Sequence, residues 1–347
     1  MNRAGCRQAE EIKNLSVEEL DDRLAEMGLE KYRLAQILGW LYNKGVTGWD
    51  AMTNLRKSLR ADLAEHFSIG ILEPATVQVS EDSTRKYLFE LEDGLKIESV
   101  LIPDGKRKTL CISSQVGCAM GCRFCYTGEL GFTRNLDVWE IIEQVLAVRR
   151  ERPASEAPTN IVFMGMGEPL LNYDNVIRAV RLLVLDEGLN FSSRHITIST
   201  VGIPDLIDRL ARQATPLNLA VSLNAPDDDL RSAIMPVNRR YPLDKVFAAL
   251  DKFPLPSRRR ITFEYIMLKD LNDDELTARR LANRVKRIPC KVNLIPFNSF
   301  PGCDFKPSPP EVIERFQALL RSKHISAFIR ESRGADIMAA CGQLAAR

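Results

Sequence analysis

The sequence has no long apolar run, almost no net charge and no repeated or low-complexity segment. No stretch approaches the ~20 consecutive apolar residues that a membrane helix needs, and the first residues lack the apolar core of a secretory signal. We therefore expect a cytoplasmic protein without membrane association. Because 48 Lys and Arg residues nearly balance 46 Asp and Glu residues, the overall charge does not indicate a nucleic-acid partner.

Short basic clusters and eight cysteines stand out against this neutral background. The basic clusters lie at 106–108, 239–240 and 258–260, but any one such cluster is more often a solvated loop than a binding site. Disulfides are rare in a reducing compartment, so cysteines in a cytoplasmic protein more often bind metals or take part in catalysis.

Over the first ~100 residues, the spacing of apolar residues changes from that of a helix to the alternation typical of a strand. Ser16 and Glu19 have the spacing of a capping box, apolar residues repeat at helical spacing over 32–42, and a third helix is expected over 54–66. These patterns predict a small helical N-terminal domain at 1–72. Alternating residues on both sides of Asp93-Gly94 predict a β-hairpin, and with it a β extension at 73–104.

From residue 105 onward, short apolar runs alternate with helical stretches. Helical patterns such as that after the capping box at Asp137 separate the runs, which are expected as strands at 109–116, 160–164, 195–199, 217–222, 261–267, 291–295 and 325–330. Alternating strands and helices predict an α/β fold with a parallel sheet. Six or seven units are too few for a full eightfold barrel. We therefore expect a partial (β/α)6 barrel of the TIM type at 105–347, with its site at the carboxyl ends of the strands.

Three cysteines, Cys118, Cys122 and Cys125, follow the first of these strands directly. Soft thiolates favour zinc or an iron–sulfur cluster. A structural zinc site needs four ligands, whereas this segment offers three, and an open fourth position is typical of catalysis. Cys111 is a poor fourth ligand because of strand alternation and distance. The spacing favours a catalytic cluster and leaves structural zinc as the alternative.

Small polar residues stand where the other strands are expected to end. Glu168 follows two glycines that allow close backbone approach to a ligand, and its carboxylate could accept a hydrogen bond from a ligand ammonium. Ser199, Ser222 and Asn224 end two later strands, and Asn298 ends a third. Such residues suit a small-molecule site, although they also serve as helix N-caps.

The cysteine spacing, with Phe124 before the last cysteine, resembles the cluster-binding loop of the radical S-adenosylmethionine (SAM) superfamily. Longer segments then narrow the resemblance to the RlmN/Cfr family of radical SAM RNA (adenine) methyltransferases. The segments occur in the family's order over nearly the whole chain and lie at 32–36, 52–55, 111–118, 165–172, 293–298 and 340–344.

The resemblance implies two cofactors and the residues that bind them. Cys118, Cys122 and Cys125 hold a [4Fe-4S] cluster, whose unique iron is chelated by SAM. The residues implied to contact SAM are Gly167, Glu168, Ser199, Ser222, Leu223, Asn224 and Asn298. The family commonly has His at the position of Asn224, and Asn retains both a donor and an acceptor.

The resemblance also implies how a methyl group reaches an adenine carbon that is too electron-poor to attack SAM. Cys341 takes the methyl group from one SAM molecule, and a radical generated from a second removes hydrogen from it. The resulting carbon radical adds to adenine, Glu98 accepts the proton of the adduct, and Cys111 attacks Cys341. The last step forms a transient disulfide and releases the methylated RNA.

The implied substrates are an adenosine of 23S rRNA at the peptidyl-transferase centre and the tRNA adenosine adjacent to the anticodon. An electron donor such as flavodoxin or ferredoxin and a monomeric state are also expected. The longer helical N-terminal region favours the RlmN type, which methylates C2, over the Cfr type, which methylates C8. A radical SAM enzyme with a non-RNA substrate and a non-catalytic RNA-binding zinc protein remain alternatives. Three cysteines, Cys6, Cys290 and Cys303, receive no role.

Overall fold

The computed structural model describes residues 9–346, so Cys6 lies outside the described residues. These residues form two compact units. The first contains the described residues up to Glu73 together with Asp137–Ala157 and Asp174–Phe191, and the second contains the rest. The division into domains at 1–72, 73–104 and 105–347 stays a prediction. Within residues 9–346, no helix combines the length and the apolar character required to cross a membrane.

The N-terminal part of the first unit is helical, as its apolar period predicts. Its elements are β1 (Glu10–Glu11), α1 (Val17–Glu26), α2 (Tyr32–Leu38), α3 (Lys57–His66) and β2 (Phe67–Ser68), with a π-helix at Gly39–Asn43 after α2. The capping box is confirmed, because Ser16 Oγ accepts a hydrogen bond from Glu19 N at 3.1 Å while Ser16 N donates to Glu19 Oε2 at 2.8 Å. Helix α3 begins three residues later than predicted.

The second unit begins with four antiparallel strands. They are β3 (Pro74–Val79), β4 (Arg85–Glu90), β5 (Lys96–Asp104) and β6 (Arg107–Cys111). The predicted turn at Asp93-Gly94 is confirmed: Gly94 has φ +79°, a conformation that favours glycine, and Leu95 N donates to Asp93 Oδ1 at 3.1 Å.

The prediction of one strand over 109–116 is wrong, because β6 ends at Cys111. Ser113 Oγ donates to the carbonyl of Glu98 at 2.6 Å and accepts from Met166 N at 2.8 Å. These bonds take the chain out of the ladder. A separate two-stranded sheet follows, formed by β7 (Gln115–Gly117) and β8 (Phe132–Asn135), with the short helix α4 (Tyr126–Glu129) between them.

Strand β6 also begins the parallel part of the ten-stranded sheet. The six strands that follow it in parallel order are β9 (Asn160–Phe163), β10 (Ile196–Thr200), β11 (Asn218–Ser222), β12 (Ile261–Met267), β13 (Cys290–Pro296) and β14 (Ser326–Ile329). The predicted α/β class is confirmed. In the described residues, β3 and β14 are the two ends of the hydrogen-bonded strand order.

Helices connect the parallel strands. They are α5 (Val138–Glu151), α6 (Tyr173–Val184), α7 (Pro204–Leu210), α8 (Asp228–Ile234), α9 (Leu243–Asp251), α10 (Glu275–Val285) and α11 (Pro310–Ser322). Helix α5 starts with the predicted capping box of Asp137 and Glu140.

The first unit is held together by a buried ion pair. Lys13, at 0% exposure, contacts the Glu143 carboxylate of α5 and donates to the carbonyl of Gly70 at 2.7 Å. Glu143 Oε2 also accepts from Arg150 at 2.7 Å and from Leu72 N at 3.0 Å. The charges are therefore compensated on both sides, which a buried pair requires.

Candidate active site at the strand ends

A cavity of about 220 Å³ opens at the carboxyl ends of the parallel strands. This is the edge of the sheet at which the fold is expected to carry its site. Ten predicted site residues line the cavity: Cys111, Cys118, Cys122, Cys125, Gly167, Glu168, Ser199, Ser222, Asn224 and Cys341. The other three, Glu98, Leu223 and Asn298, lie outside its lining.

The loop that carries the three neighbouring cysteines is folded tightly on itself. Cys118 N donates to the carbonyl of Gly131 at 2.8 Å and Cys125 N to that of Cys122 at 3.1 Å. Gly128 has no room for a side chain, because a Cβ there would lie 2.9 Å from the carbonyl oxygen of Cys122. The backbone thus holds the three thiols at one wall of the cavity.

Burial disfavours the thiolate form of these cysteines. It raises the pKa of Cys118 to about 12, and the pKa of Cys122 is raised by burial and then by the charges of Cys125 and Cys118. A cationic iron–sulfur cluster held by Cys118, Cys122 and Cys125 would compensate the charge of such thiolates. Within residues 9–346, no group of three or more His, Cys, Asp or Glu side chains is arranged to hold a single metal ion. Three cysteine thiols of one loop line the cavity, and thiolates are the ligands that iron–sulfur clusters take, so the donor set fits the cluster.

Glu168 is a buried carboxylate between two strand ends. Its Oε2 accepts from Val201 N at 2.8 Å and its Oε1 from Leu170 N at 3.0 Å, while its own N–H donates to Gln115 Oε1 at 2.8 Å. Burial raises its pKa to about 7 against these backbone hydrogen bonds. A cationic ligand group would therefore favour the ionised form of this carboxyl.

Asn224 is held by the fold as well as facing the cavity. It adopts φ +58°, a left-handed conformation in which Asn is enriched. Its Oδ1 accepts from Ile266 N at 2.9 Å and its Nδ2 approaches Met235 Sδ at 3.3 Å. The preceding Leu223 is fully buried, and its N–H donates to the carbonyl of Glu264 at 3.0 Å.

Cys341 lies on a C-terminal strap, residues 338–346, that is hydrogen-bonded to the cysteine loop. Tyr126 N donates to the carbonyl of Gly342 at 2.7 Å, and Thr127 Oγ1 to that of Leu344 at 2.7 Å. Asn298 Nδ2 donates to the carbonyl of Cys341 itself at 3.1 Å. Asn298 therefore positions the strap in this structure.

The strap places Cys341 in the lining of the cavity that Cys111 and the cysteine loop also line. Although Cys341 is exposed as a residue, it lines the cavity, and desolvation there raises the pKa of its thiol. The negative charges of Cys125 and Cys111 raise that pKa further, so both groups lie within electrostatic range. Burial raises the pKa of Cys111 to about 12. All described cysteines are free thiols.

Glu98 is bonded to the strap instead of lining the cavity. Its Oε2 accepts from the backbone N–H groups of Ala345 at 2.8 Å and Ala346 at 3.0 Å. Its Oε1 forms an ion pair with Lys86 at 3.2 Å. Both carboxylate oxygens are therefore occupied.

Sequence reasoning missed two charged residues near the site. Glu264 lines the cavity from β12 and accepts from Asn293 Nδ2 at 3.0 Å, and burial raises its pKa to about 7. A glutamate inside the apolar run 261–267 was a signal that could have identified it. Arg231 of α8 is fully buried beside the cysteine loop. An arginine in a short helix carries no such signal in the sequence.

Comparison with known proteins agrees with this architecture. The family described as "Radical SAM superfamily" matches residues 112–282, and "Ribosomal RNA large subunit methyltransferase N-terminal domain" matches residues 10–69. A solved radical SAM methyltransferase from Sphaerobacter thermophilus is 47% identical, with a TM-score of 0.92 over 97% of this chain and 100% of the other. The predicted radical SAM fold is thereby confirmed.

Curated relatives match almost the full chain. A protein of Geobacter sulfurreducens named "Dual-specificity RNA methyltransferase RlmN" is 53% identical over 96% of this chain and 91% of its own length. A protein of the same name from Pelobacter propionicus is 51% identical over 96% and 95%. The chain therefore belongs to the RlmN family of radical SAM RNA methyltransferases.

Proposed function

We propose that this protein methylates C2 of one adenosine in 23S rRNA, at the peptidyl-transferase centre, and of the tRNA adenosine adjacent to the anticodon. The observation that carries the proposal is the convergence of Cys341, Cys111 and the cysteine loop on one cavity. A cysteine that carries a methyl group, a second that releases it and a radical source are the groups this reaction requires. The dual specificity in the relatives' name supports the two RNA substrates.

The proposed cofactors are a [4Fe-4S] cluster held by Cys118, Cys122 and Cys125, and SAM. When bound, they supply a methyl group and a 5′-deoxyadenosyl radical. We propose that Gly167, Glu168, Ser199, Ser222 and Asn224 contact SAM from the cavity wall, and that Leu223 and Asn298 do so from beside it. The electron is expected from a donor such as flavodoxin or ferredoxin.

The cysteine pair handles the methyl group in this proposal. Cys341 carries it as a thioether, and the strap holds that sulfur in the cavity. After the methyl carbon has joined the base, Cys111 attacks the sulfur of Cys341, forming a disulfide as the C–S bond to the product breaks. Both thiols have raised pKa values, so each must lose its proton as it reacts.

Glu98 is the proposed proton acceptor, and the structure adds a condition to that role. Its carboxylate is bonded to Ala345 and Ala346. It can accept a proton from the base only after the end of the strap has moved away. Release of Ala345 and Ala346, with Cys341 kept in the cavity, would therefore precede this proton transfer.

The most direct test is mass analysis of the Cys341 peptide from protein purified from cells. The proposal expects one added methyl group on Cys341 and none on the peptide of Cys303, a partly exposed cysteine outside the cavity lining. Methylation of both peptides, or of neither, would contradict a dedicated methyl carrier.

The position of methylation needs a second experiment. Digestion of the methylated rRNA and tRNA to nucleosides, followed by mass analysis against standards, should give C2-methyladenosine from both. A C8-methylated product would identify the Cfr type instead. Full activity of a Cys341→Ala variant on another substrate would favour a non-RNA reaction.

A further inference from the structure

Arg231 is a fully buried arginine that none of the proposed steps uses. Its guanidinium donates to the carbonyls of Val201 at 2.5 Å, Ser222 at 3.1 Å and Leu223 at 3.1 Å. The first carbonyl follows β10 directly, and the other two lie at the end of β11. One side chain therefore fastens together two neighbouring strand ends that face the cavity.

These hydrogen bonds leave the positive charge of Arg231 without a bonded anion. A fourth bond goes to Asn238 Oδ1 at 2.8 Å, so all four acceptors are neutral oxygen atoms. Burying an uncompensated charge is costly, which makes the nearest anions informative. Burial lowers the pKa of Arg231. Two groups oppose this effect, Cys122 first and Asp228 second. Cys122 is a thiol in the unloaded protein and would be a thiolate when it binds iron, so a cysteine of the loop supplies counter-charge to Arg231 only with the cluster bound.

Helix α8 is also bonded directly to the cysteine loop. Arg123 N donates to the carbonyl of Ile234 at 3.0 Å, and Arg123 Nη1 to that of Ala233 at 3.3 Å. Cys122 packs in the same apolar cluster as Ile234 and Met235. The position of Arg231 relative to the loop is therefore fixed by the backbone.

We propose that Arg231 is a positioning residue with two effects: it aligns the strand ends that contact SAM, and it supplies a buried positive charge behind Cys122 that raises the reduction potential of the cluster. Reduction adds one negative charge to the cluster, and a fixed cation nearby stabilises that charge. Net charge and hydrogen bonding around a cluster are established determinants of its potential. The first effect rests on the proposed SAM contacts, whereas the second rests only on the cluster that the family implies.

The test uses three variants of the full chain, each reconstituted with iron and sulfide. Arg231→Gln removes the charge and part of the hydrogen bonding. Arg231→Lys keeps the charge but loses the planar fork that reaches several carbonyls. Asn238→Ala is the matched control, since Asn238 also bonds to Asp228 Oδ1 at 2.9 Å and Ser232 at 2.8 Å, so its loss loosens the same region without changing the charge.

The readouts are the midpoint potential of the cluster, followed by electron paramagnetic resonance without SAM or RNA, and the dissociation constant of SAM. The expected potential is more negative in Arg231→Gln and close to that of the unmodified protein in Arg231→Lys and Asn238→Ala. SAM should bind about tenfold more weakly to both Arg231 variants, because hydrogen bonds from a charged donor are lost.

Three outcomes overturn the proposal or one of its two effects. An equal shift of potential in Asn238→Ala and Arg231→Gln would show a structural effect alone. If Arg231→Gln does not fold, Arg231→Lys provides the test. This variant keeps the positive charge, so a more negative cluster potential in it would exclude the electrostatic effect. A shift of potential with unchanged SAM affinity would overturn the alignment of the SAM-binding strand ends.

Discussion

Glu98 and Ala345 are joined by a 2.8 Å hydrogen bond from the backbone N–H of Ala345 to Glu98 Oε2. The bond connects β5 to the end of the strap that carries Cys341. Because Glu98 is only 2% exposed, water cannot easily replace the strap as its partner. The proposed proton acceptor and the proposed methyl carrier are therefore mechanically linked.

Replacing Glu98 with Gln should loosen the strap. The amide oxygen of Gln can still accept from both N–H groups, but Gln lacks the charge that strengthens these backbone bonds and forms the ion pair with Lys86. A hydrogen bond to a charged group contributes roughly 1 kcal/mol more than a neutral one, so the amides of Ala345 and Ala346 should exchange several-fold faster. Hydrogen–deuterium exchange of the C-terminal peptide measures this. Glu90→Gln, at an exposed position of β4, is the control, and equal exchange in both variants would contradict the link.

The sequence could predict the α/β fold because its strands have a strong local signal. The run at 261–267 and both capping boxes, at Ser16 and Asp137, appear where the pattern places them. The end of β6 could not be predicted, because it depends on Ser113 bonding to Glu98 and Met166, which are distant in the chain. Local patterns specify elements, whereas such contacts form only in the folded protein.

The same distinction applies to the site. Residues of the cysteine loop are neighbours in the sequence, so their spacing is informative by itself. Cys341 and Glu98 are placed by resemblance, and their contacts with the loop and the strap become visible only in three dimensions. Arg231 acts through backbone carbonyls, which any residue provides, and no sequence pattern marks it.

Replacing Cys111 with Ala should stop the reaction after the base has been joined to the protein. Without the thiol of Cys111, the C–S bond to Cys341 cannot be broken by disulfide formation. A covalent protein–RNA species should accumulate and should be visible as a slowly migrating band on a denaturing gel. Cys290→Ala is the control, since Cys290 is also buried but does not line the cavity. Normal turnover without Cys111 would show that another group releases the product.

The buried pair of Lys13 and Glu143 should contribute more to stability than an exposed ion pair does. Lys13→Met leaves the Glu143 carboxylate buried with part of its compensation lost, and breaking a buried pair costs about 3 kcal/mol or more. Arg23→Met is the matched control, because Arg23 pairs with Glu26 at 3.5 Å with both side chains largely exposed, and such pairs contribute under about 1 kcal/mol. Urea unfolding followed by circular dichroism compares them. Equal losses in the two variants would mean that the buried pair contributes no more than a surface pair.

Glu264 should make the protein less stable as the pH rises. Burial raises its folded-state pKa from 4.5 to about 7, so between these values the unfolded chain releases the proton while the folded protein keeps it. Stability is therefore full below the lower value and is lost as the pH rises through the folded-state pKa.

The variant Glu264→Gln cannot ionise and its amide oxygen can still accept from Asn293. It should match the unmodified protein at about pH 4.5 and exceed it at about pH 8 by up to roughly 3 kcal/mol, which is the free energy of the pKa difference. Thermal unfolding across this range, with Glu187→Gln at an exposed position as the control, measures the difference. Parallel curves for the unmodified protein and Glu264→Gln would mean that the carboxyl is ionised in the fold, with the positive charges of Arg330 and Lys291 outweighing its burial.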